Sequence, residues 1–255
     1  MPISTKELNL YKKKDSEDED LEGGLVMPLS DHLNELRNKI IISLITFSIA
    51  TFIGFSLSKE IIRLLTNIAP GDTIFLQIKP GEFFFTSLRI AIYLGLTISS
   101  PVIIWQLTNF ILPGLTKKEK MIALPILTSA PFLFCTGTLF AYYFVAPSMI
   151  NFLFGFGKGV IQASISIESF ISFTLMIMAI CGFAFLLPIV LLALANVGIV
   201  NSKMLINKWR YAILSSVILG AIVTPTPDPF NMSIVSGMLV GLYFASVVIL
   251  KAMRL

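Results

Sequence analysis

Stretches of roughly 20 apolar residues, nearly free of charge, recur from about residue 39 to residue 250, and this is the length a helix needs to cross a hydrocarbon core. The spans read at about 39–57, 83–112, 121–145, 170–197, 211–223 and 232–250. Closed barrels also satisfy their backbone in lipid, but they need strands of alternating polarity, and these spans are continuously apolar. With 55% of residues hydrophobic and 13% charged, a water-facing surface for a soluble domain is excluded. The expected fold is an all-α membrane protein of six transmembrane helices, occupying residues 27–255.

Where the cations fall sets the orientation, because segments left on the side of synthesis retain Lys and Arg. One set of segments holds Lys6, Lys12 to Lys14, Arg37, Lys39, Lys117, Lys118, Lys120, Lys203, Lys208, Arg210, Lys251 and Arg254. The opposite loops hold Lys59, Arg63, Lys79 and Lys158. Both termini are therefore expected inside. Topology accounts for the net charge of +4, and no basic patch interleaved with aromatics is left over for a nucleic acid. The polar start, residues 1–26, combines Lys12–Lys14 with an acidic run from Asp15 to Asp20 and is expected to be a disordered tail. It lacks a signal-peptide apolar core and is too acidic for a transit peptide, so insertion from the compartment of synthesis is expected.

The fifth span has about 13 apolar residues between Arg210 and the turn run TPTPDP, giving roughly 20 Å of helix against a core of about 30 Å. The sixth, interrupted by Ser233, Ser236, Gly237 and Gly241, also reads as short. Its Gly237–Gly241 spacing suits close helix contact, internal or with a partner. Before the first span, Leu29, Leu33, Leu36 and Ile40 form one helical stripe opposite Asp31, Glu35, Asn38 and Lys39, so a lead-in helix along the membrane surface is expected.

Two carboxylates stand out because they sit in segments otherwise dominated by cations. Glu35 is in DHLNELRNKI, and Glu119 is in LTKKEKM at the start of the third helix. Each is a candidate site for a cation. Each also has a plain structural use: Glu35 can pair with Lys39 one turn on, and Glu119 can complement the positive end of a helix dipole. Other chemistry is sparse. Cys135 and Cys181 lie inside apolar spans, His32 is the single histidine, and neither a metal cluster, a nucleophile elbow nor a phosphate-cradling loop is present. Arg89, near the outer interface, is expected to snorkel to water.

The runs MPLSDHLNELRNKI, PGEFFFTSLR, SPVIIWQLTNFILPGLTKKEK, FAYYFVAPSMINF and LGAIVTPTPDPFNM resemble, in order, those of the TatC family, the multispanning subunit of the twin-arginine protein translocase, in its cyanobacterial and plastid-encoded branch. The resemblance extends from Met27 to Leu255. It implies a receptor and scaffold without enzymatic activity or cofactor, binding the paired arginines of signal peptides on folded cargo. It also implies an oligomeric complex in the bilayer with small single-span TatA/TatB-type subunits, driven by a proton gradient. The family's signal-peptide acids carry over onto Glu119 and Glu35, and family importance attaches to Arg37 and Phe110. Leu33, Pro113, Lys117, Gln106 and Asp228 are supporting candidates. One position departs from the pattern: the family often has a polar residue two before a proline in the fourth helix, and AFLLPIV places Leu186 there. Gln106, Asn109 and Asn196 are the polar groups left at depth. A thylakoid membrane with stromal termini is expected, a bacterial inner membrane being the alternative. A secondary transporter or channel is the competing function; it calls for ionisable residues at mid-depth, which the spans lack.

Overall fold

The computed structural model describes residues 29–71, 73–111, 117–157, 164–224 and 228–253, with side chains from Leu33 onward except at 111, 117–119 and 223. The tail 1–26 and Pro113 lie outside the described residues.

Helix α1 (Leu29–Thr66) has 38 residues and is about 57 Å long at 1.5 Å per residue. The expected surface lead-in is not a separate element: it runs straight into the first span, because no proline interrupts the segment and its one glycine, Gly54, is used for packing. A Cβ on Gly54 would lie 2.9 Å from the Ala91 carbonyl of the neighbouring helix. That neighbour, α2 (Glu82–Ile111), packs along α1 and contains Pro101. Proline cannot donate to the carbonyl four residues back, that of Thr97. Ser100 Oγ donates to it instead, at 2.7 Å.

The third span joins α3 (Lys117–Phe140), a π-helical turn (Ala141–Val145) and α4 (Ala146–Phe156). The wide turn absorbs Pro147 at the start of α4, where an N–H is again missing. In the fourth span, α5 (Ile167–Ala184) and α6 (Leu187–Asn196) are separated by a break at 185–186, just ahead of Pro188. A left-handed Gly198 (φ 80°) ends α6, with Ile199 N–H donating to Leu194 and Gly198 N–H to Ala195, the pattern of a Schellman cap. A short α7 (Ser202–Asn207), α8 (Trp209–Val223) and α9 (Pro229–Ala252) complete the described chain.

Five helical segments are long and apolar enough to span a membrane, and α8 is the sixth and shorter one. The fifth span is short as expected, with 15 residues. The expectation that the sixth is also short is corrected: α9 has 24 residues, about 36 Å. Asp228 caps the helix and Pro229 opens it, three residues earlier than the apolar pattern begins, and Ser233 does not interrupt it because its hydroxyl bonds back to the Pro229 carbonyl.

Two three-residue strands, unforeseen in the sequence, cap the end of the bundle away from the start of α1: β1 (Ile74–Leu76) and β2 (Ser164–Ser166) pair in parallel, Phe75 opposite Ile165. Beneath them lies the larger apolar core, where Phe170, Leu65, Ile90, Met149, Ile150 and Ile171 are almost fully buried. A smaller cluster, including Ile126, Leu192, Leu205 and Leu250, holds the opposite half together. The α3–α5 crossing closes on glycines: a Cβ on Gly137 would lie 2.6 Å from the Cys181 carbonyl, and one on Gly182 would lie 2.7 Å from the Phe134 ring. Around Gly237 in α9, by contrast, the space is open. Gly137→Ala is expected to destabilise the fold by about 1–3 kcal/mol, read as a lower thermal midpoint in detergent, while Gly237→Ala leaves the midpoint unchanged or raises it.

Candidate functional site

The start of α1, the end of α2 and the start of α3 lie at the same end of the bundle, because α2 runs antiparallel to α1 and α3 returns from it. Glu35 sits on α1 with Lys39 one turn along, and their side chains approach to 3.8 Å. The expected i,i+4 pair is present, but at that distance and with 28% of the Glu35 side chain exposed it is a weak contact. Arg37 and Leu33 are exposed on the same stretch of helix.

Between α1 and α2 runs an apolar groove of about 430 Å³. Leu36, Lys39 and Leu44 form one wall; Gln106, Leu107 and Phe110 form the other. Two candidates from the second span, Gln106 and Phe110, thus face the helix that carries Glu35. Lys117 and Glu119 lie in the first turn of α3, and the positions of their side chains are outside the described residues. Placement at a helix start gives Glu119 the favourable end of the dipole.

Other candidates are placed elsewhere. Leu186, at the break between α5 and α6, packs against the cluster containing Ile126 and Ile189, so an apolar residue fits its surroundings. Asp228 is at the far end of the bundle, at the N-terminus of α9. Its Oδ1 accepts from the Phe230 N–H at 3.2 Å, and its Oδ2 accepts from the Asn231 N–H at 3.1 Å and Nδ2 at 2.8 Å. Asn231 in turn accepts from Ser148 Oγ at 2.6 Å, tying α9 to α4. The structure therefore gives Asp228 a cap and a tether, and does not bring it together with Glu35.

Sequence reasoning missed Glu82, which is 2% exposed and organises this far end. Its Oε2 accepts from the N–H groups of Ile78 (2.7 Å) and Lys79 (3.0 Å). Its Oε1 accepts from Ser166 Oγ and from the Glu168 N–H (3.2 Å), so one carboxylate ties the loop before α2 to the cap of α5. The signal was Pro80-Gly81-Glu82: Gly81 takes φ 80°, turning the chain so that the acid reaches back over its own loop. Arg89 does not simply snorkel. Its guanidinium pairs with Glu168 Oε1 at 2.8 Å and donates to Ser172, joining α2 to α5. Among the described residues, no group of three or more His, Cys, Asp or Glu could hold a metal.

An exposed acid next to an apolar groove can receive a cation carried on an amphipathic or apolar segment. Residues 31–237 match the family described as Sec-independent protein translocase protein (TatC). The Sec-independent protein translocase protein TatC of Synechocystis sp. is 38% identical over 221 residues, 87% of each chain. The chloroplastic Sec-independent protein translocase protein TATC of Arabidopsis thaliana is 36% identical over 243 residues, 95% of this chain and 70% of that one. A crystal structure of the twin-arginine translocase receptor TatC in detergent superimposes with a TM-score of 0.72 at 33% identity, covering 86% of this chain and 99% of that one. Fold and relatives together define a multi-pass membrane component of a Sec-independent protein translocase, a part of the protein-transport machinery. The chain belongs to the TatC family.

Asp228→Ala is expected to lower the stability of α9 by about 1–2 kcal/mol, since it removes a cap and leaves a buried Asn231 amide unpaired. Asp228→Asn should recover most of that loss in a denaturation experiment, because it keeps an acceptor at the cap.

Proposed function

We propose that this chain is the receptor and scaffold subunit of a twin-arginine translocase, with Glu119 and Glu35 receiving the arginine pair of a signal peptide. The observation that carries this reading is the groove that sets Gln106 and Phe110 against the Glu35 helix, at the end of the bundle where the helix holding Glu119 starts. A twin-arginine signal joins two guanidinium groups to an apolar stretch, and an acid-flanked apolar groove is complementary to both parts. A guanidinium is planar and presents a fork of donors to a carboxylate, which an ammonium cannot copy. The existing Lys39–Glu35 contact is long and monodentate, so an incoming arginine displaces it at a cost of a few tenths of a kcal/mol.

In this reading Phe110 and Leu33 supply apolar contact near the arginines, and Arg37, Lys117 and Gln106 position the acids or the peptide backbone. Pro113 separates the second and third spans. Asp228 contributes at a distance, by holding α9 in place. Residues 27–255 act as one membrane domain with the polar tail 1–26 outside it. The subunit performs no chemistry of its own and works in an oligomeric complex with small single-span TatA/TatB-type partners, whose helices pack against α8 and α9. Transport draws on the proton gradient. The chloroplast and cyanobacterial relatives and the uneven Lys and Arg distribution favour a thylakoid membrane with stromal termini.

Photocrosslinking or equilibrium binding of a twin-arginine signal peptide tests the site. Glu119→Gln and Glu35→Gln are each expected to weaken binding by roughly 10- to 100-fold, the worth of a charge-assisted hydrogen-bonded pair. Replacing the peptide arginines with lysine should weaken binding to the parent and have little further effect on the double variant. Undiminished binding by a folded double variant would overturn the assignment.

A further inference from the structure

The corner between α7 and α8 is a second place where charge and apolar surface meet, and the proposed signal-peptide site does not use it. Between Glu168 and Asp228 the sequence contains no acid, yet it holds Lys203, Lys208 and Arg210 within eight residues. Among the described residues, none of these three cations forms an ion pair. The Arg210 guanidinium lies 5.7 Å from the centre of the Trp209 ring, which holds the charge at the mouth of a groove of about 680 Å³. Asn207, Trp209, Arg210 and Tyr211 rim that groove, and Leu214 continues it one turn deeper. Past the groove, the exposed residues Leu214, Ile218 and Ile222 follow Tyr211 along one face of α8. A cationic, hydrogen-bonding head above an apolar track has the outline of an amphiphile.

Span length gives this corner a task. With 15 residues, α8 reaches about 22 Å, against a hydrocarbon core of about 30 Å. A helix this short needs its ends held at the interface, and Trp, Tyr and Arg are the side chains that do so. We propose that the α7–α8 corner binds an anionic membrane lipid, its headgroup held by Arg210 and Lys208 with Asn207, and an acyl chain lying along Tyr211, Leu214 and Ile218. The bound lipid draws the leaflet down to the start of α8. This inference is independent of signal-peptide binding and rests on the geometry of the corner alone.

The protein's two tryptophans make the test direct. In the full chain carrying Trp105→Phe, Trp209 is the sole indole. The protein is reconstituted in phosphatidylcholine bilayers in which one lipid at a fixed mole fraction carries a brominated acyl chain that quenches the indole. Brominated phosphatidylglycerol is expected to be enriched at Trp209 over brominated phosphatidylcholine on the order of fivefold, and the preference should fall at high salt. Arg210→Gln combined with Lys208→Gln should abolish the preference, while Arg210→Lys retains most of it. Equal quenching by the two lipids in the parent, or a preference that survives both high salt and the double variant, would overturn the proposal.

Discussion

A peptide group in hydrocarbon has no water to bond to, and the rest of this structure follows from that shortage. Each proline inside a span removes a donor and so exposes a carbonyl. At Pro101 a neighbouring serine hydroxyl fills the gap; at Pro147 the helix widens into a π turn; at Pro188 the helix breaks and restarts. The other hydroxyls in the spans mostly behave alike, donating to a carbonyl three or four residues back, as Thr46, Thr108, Thr174 and Ser246 do. Polar residues in these helices therefore serve the backbone first, and most are not evidence of a substrate path.

The two ends of the bundle are built differently, and the difference tracks charge. At the end away from the start of α1, Glu82, Arg89, Glu168 and Asn231 find partners across elements and Asp228 caps α9, above the larger of the two cores. At the opposite end, among the described residues, the cations are mostly exposed and Glu35 makes a weak contact with Lys39. A closed, crosslinked end fixes the helix directions, so the open end holds its residues in register without spending them on each other. Such a division suits a protein that must keep charged groups available on one side of a membrane and sealed on the other.

Much of the fold was legible in the sequence because apolar span length and cation placement are one-dimensional signals. All six spans were visible that way, as was the shortness of the fifth. The misses have a common cause, which is contact between distant segments. The pairing of β1 with β2 joins residues ninety apart, and the Glu82 carboxylate is satisfied partly by Ser166 and Glu168, which no local pattern reveals. The continuity of α1 was missed for another reason: amphipathicity describes which face is polar, not whether the axis bends, and nothing between Leu29 and Thr66 forces a bend. The length of α9 was hidden by treating Asp228 and Pro229 as turn residues, although that pair is equally the cap and first residue of a helix. At the candidate site, the acids were legible through their placement among cations, whereas the groove beside the Glu35 helix depends on how α2 lies against α1.

In the proposed receptor reading, specificity for arginine follows from where the acids are and not merely from their charge. Glu119 is flanked by Lys117, Lys118 and Lys120, so the field there is positive and a generic cation is repelled. A ligand binds only if its local geometry with a carboxylate outweighs that repulsion. A bidentate guanidinium can do so, and the more strongly hydrated point charge of an ammonium gains less for the same desolvation. On that proposal the lysines beside Glu119 act as a filter against lysine-bearing peptides, and the apolar groove adds a second requirement, because a cation without an attached hydrophobic segment gains nothing from Leu36, Leu107 and Phe110.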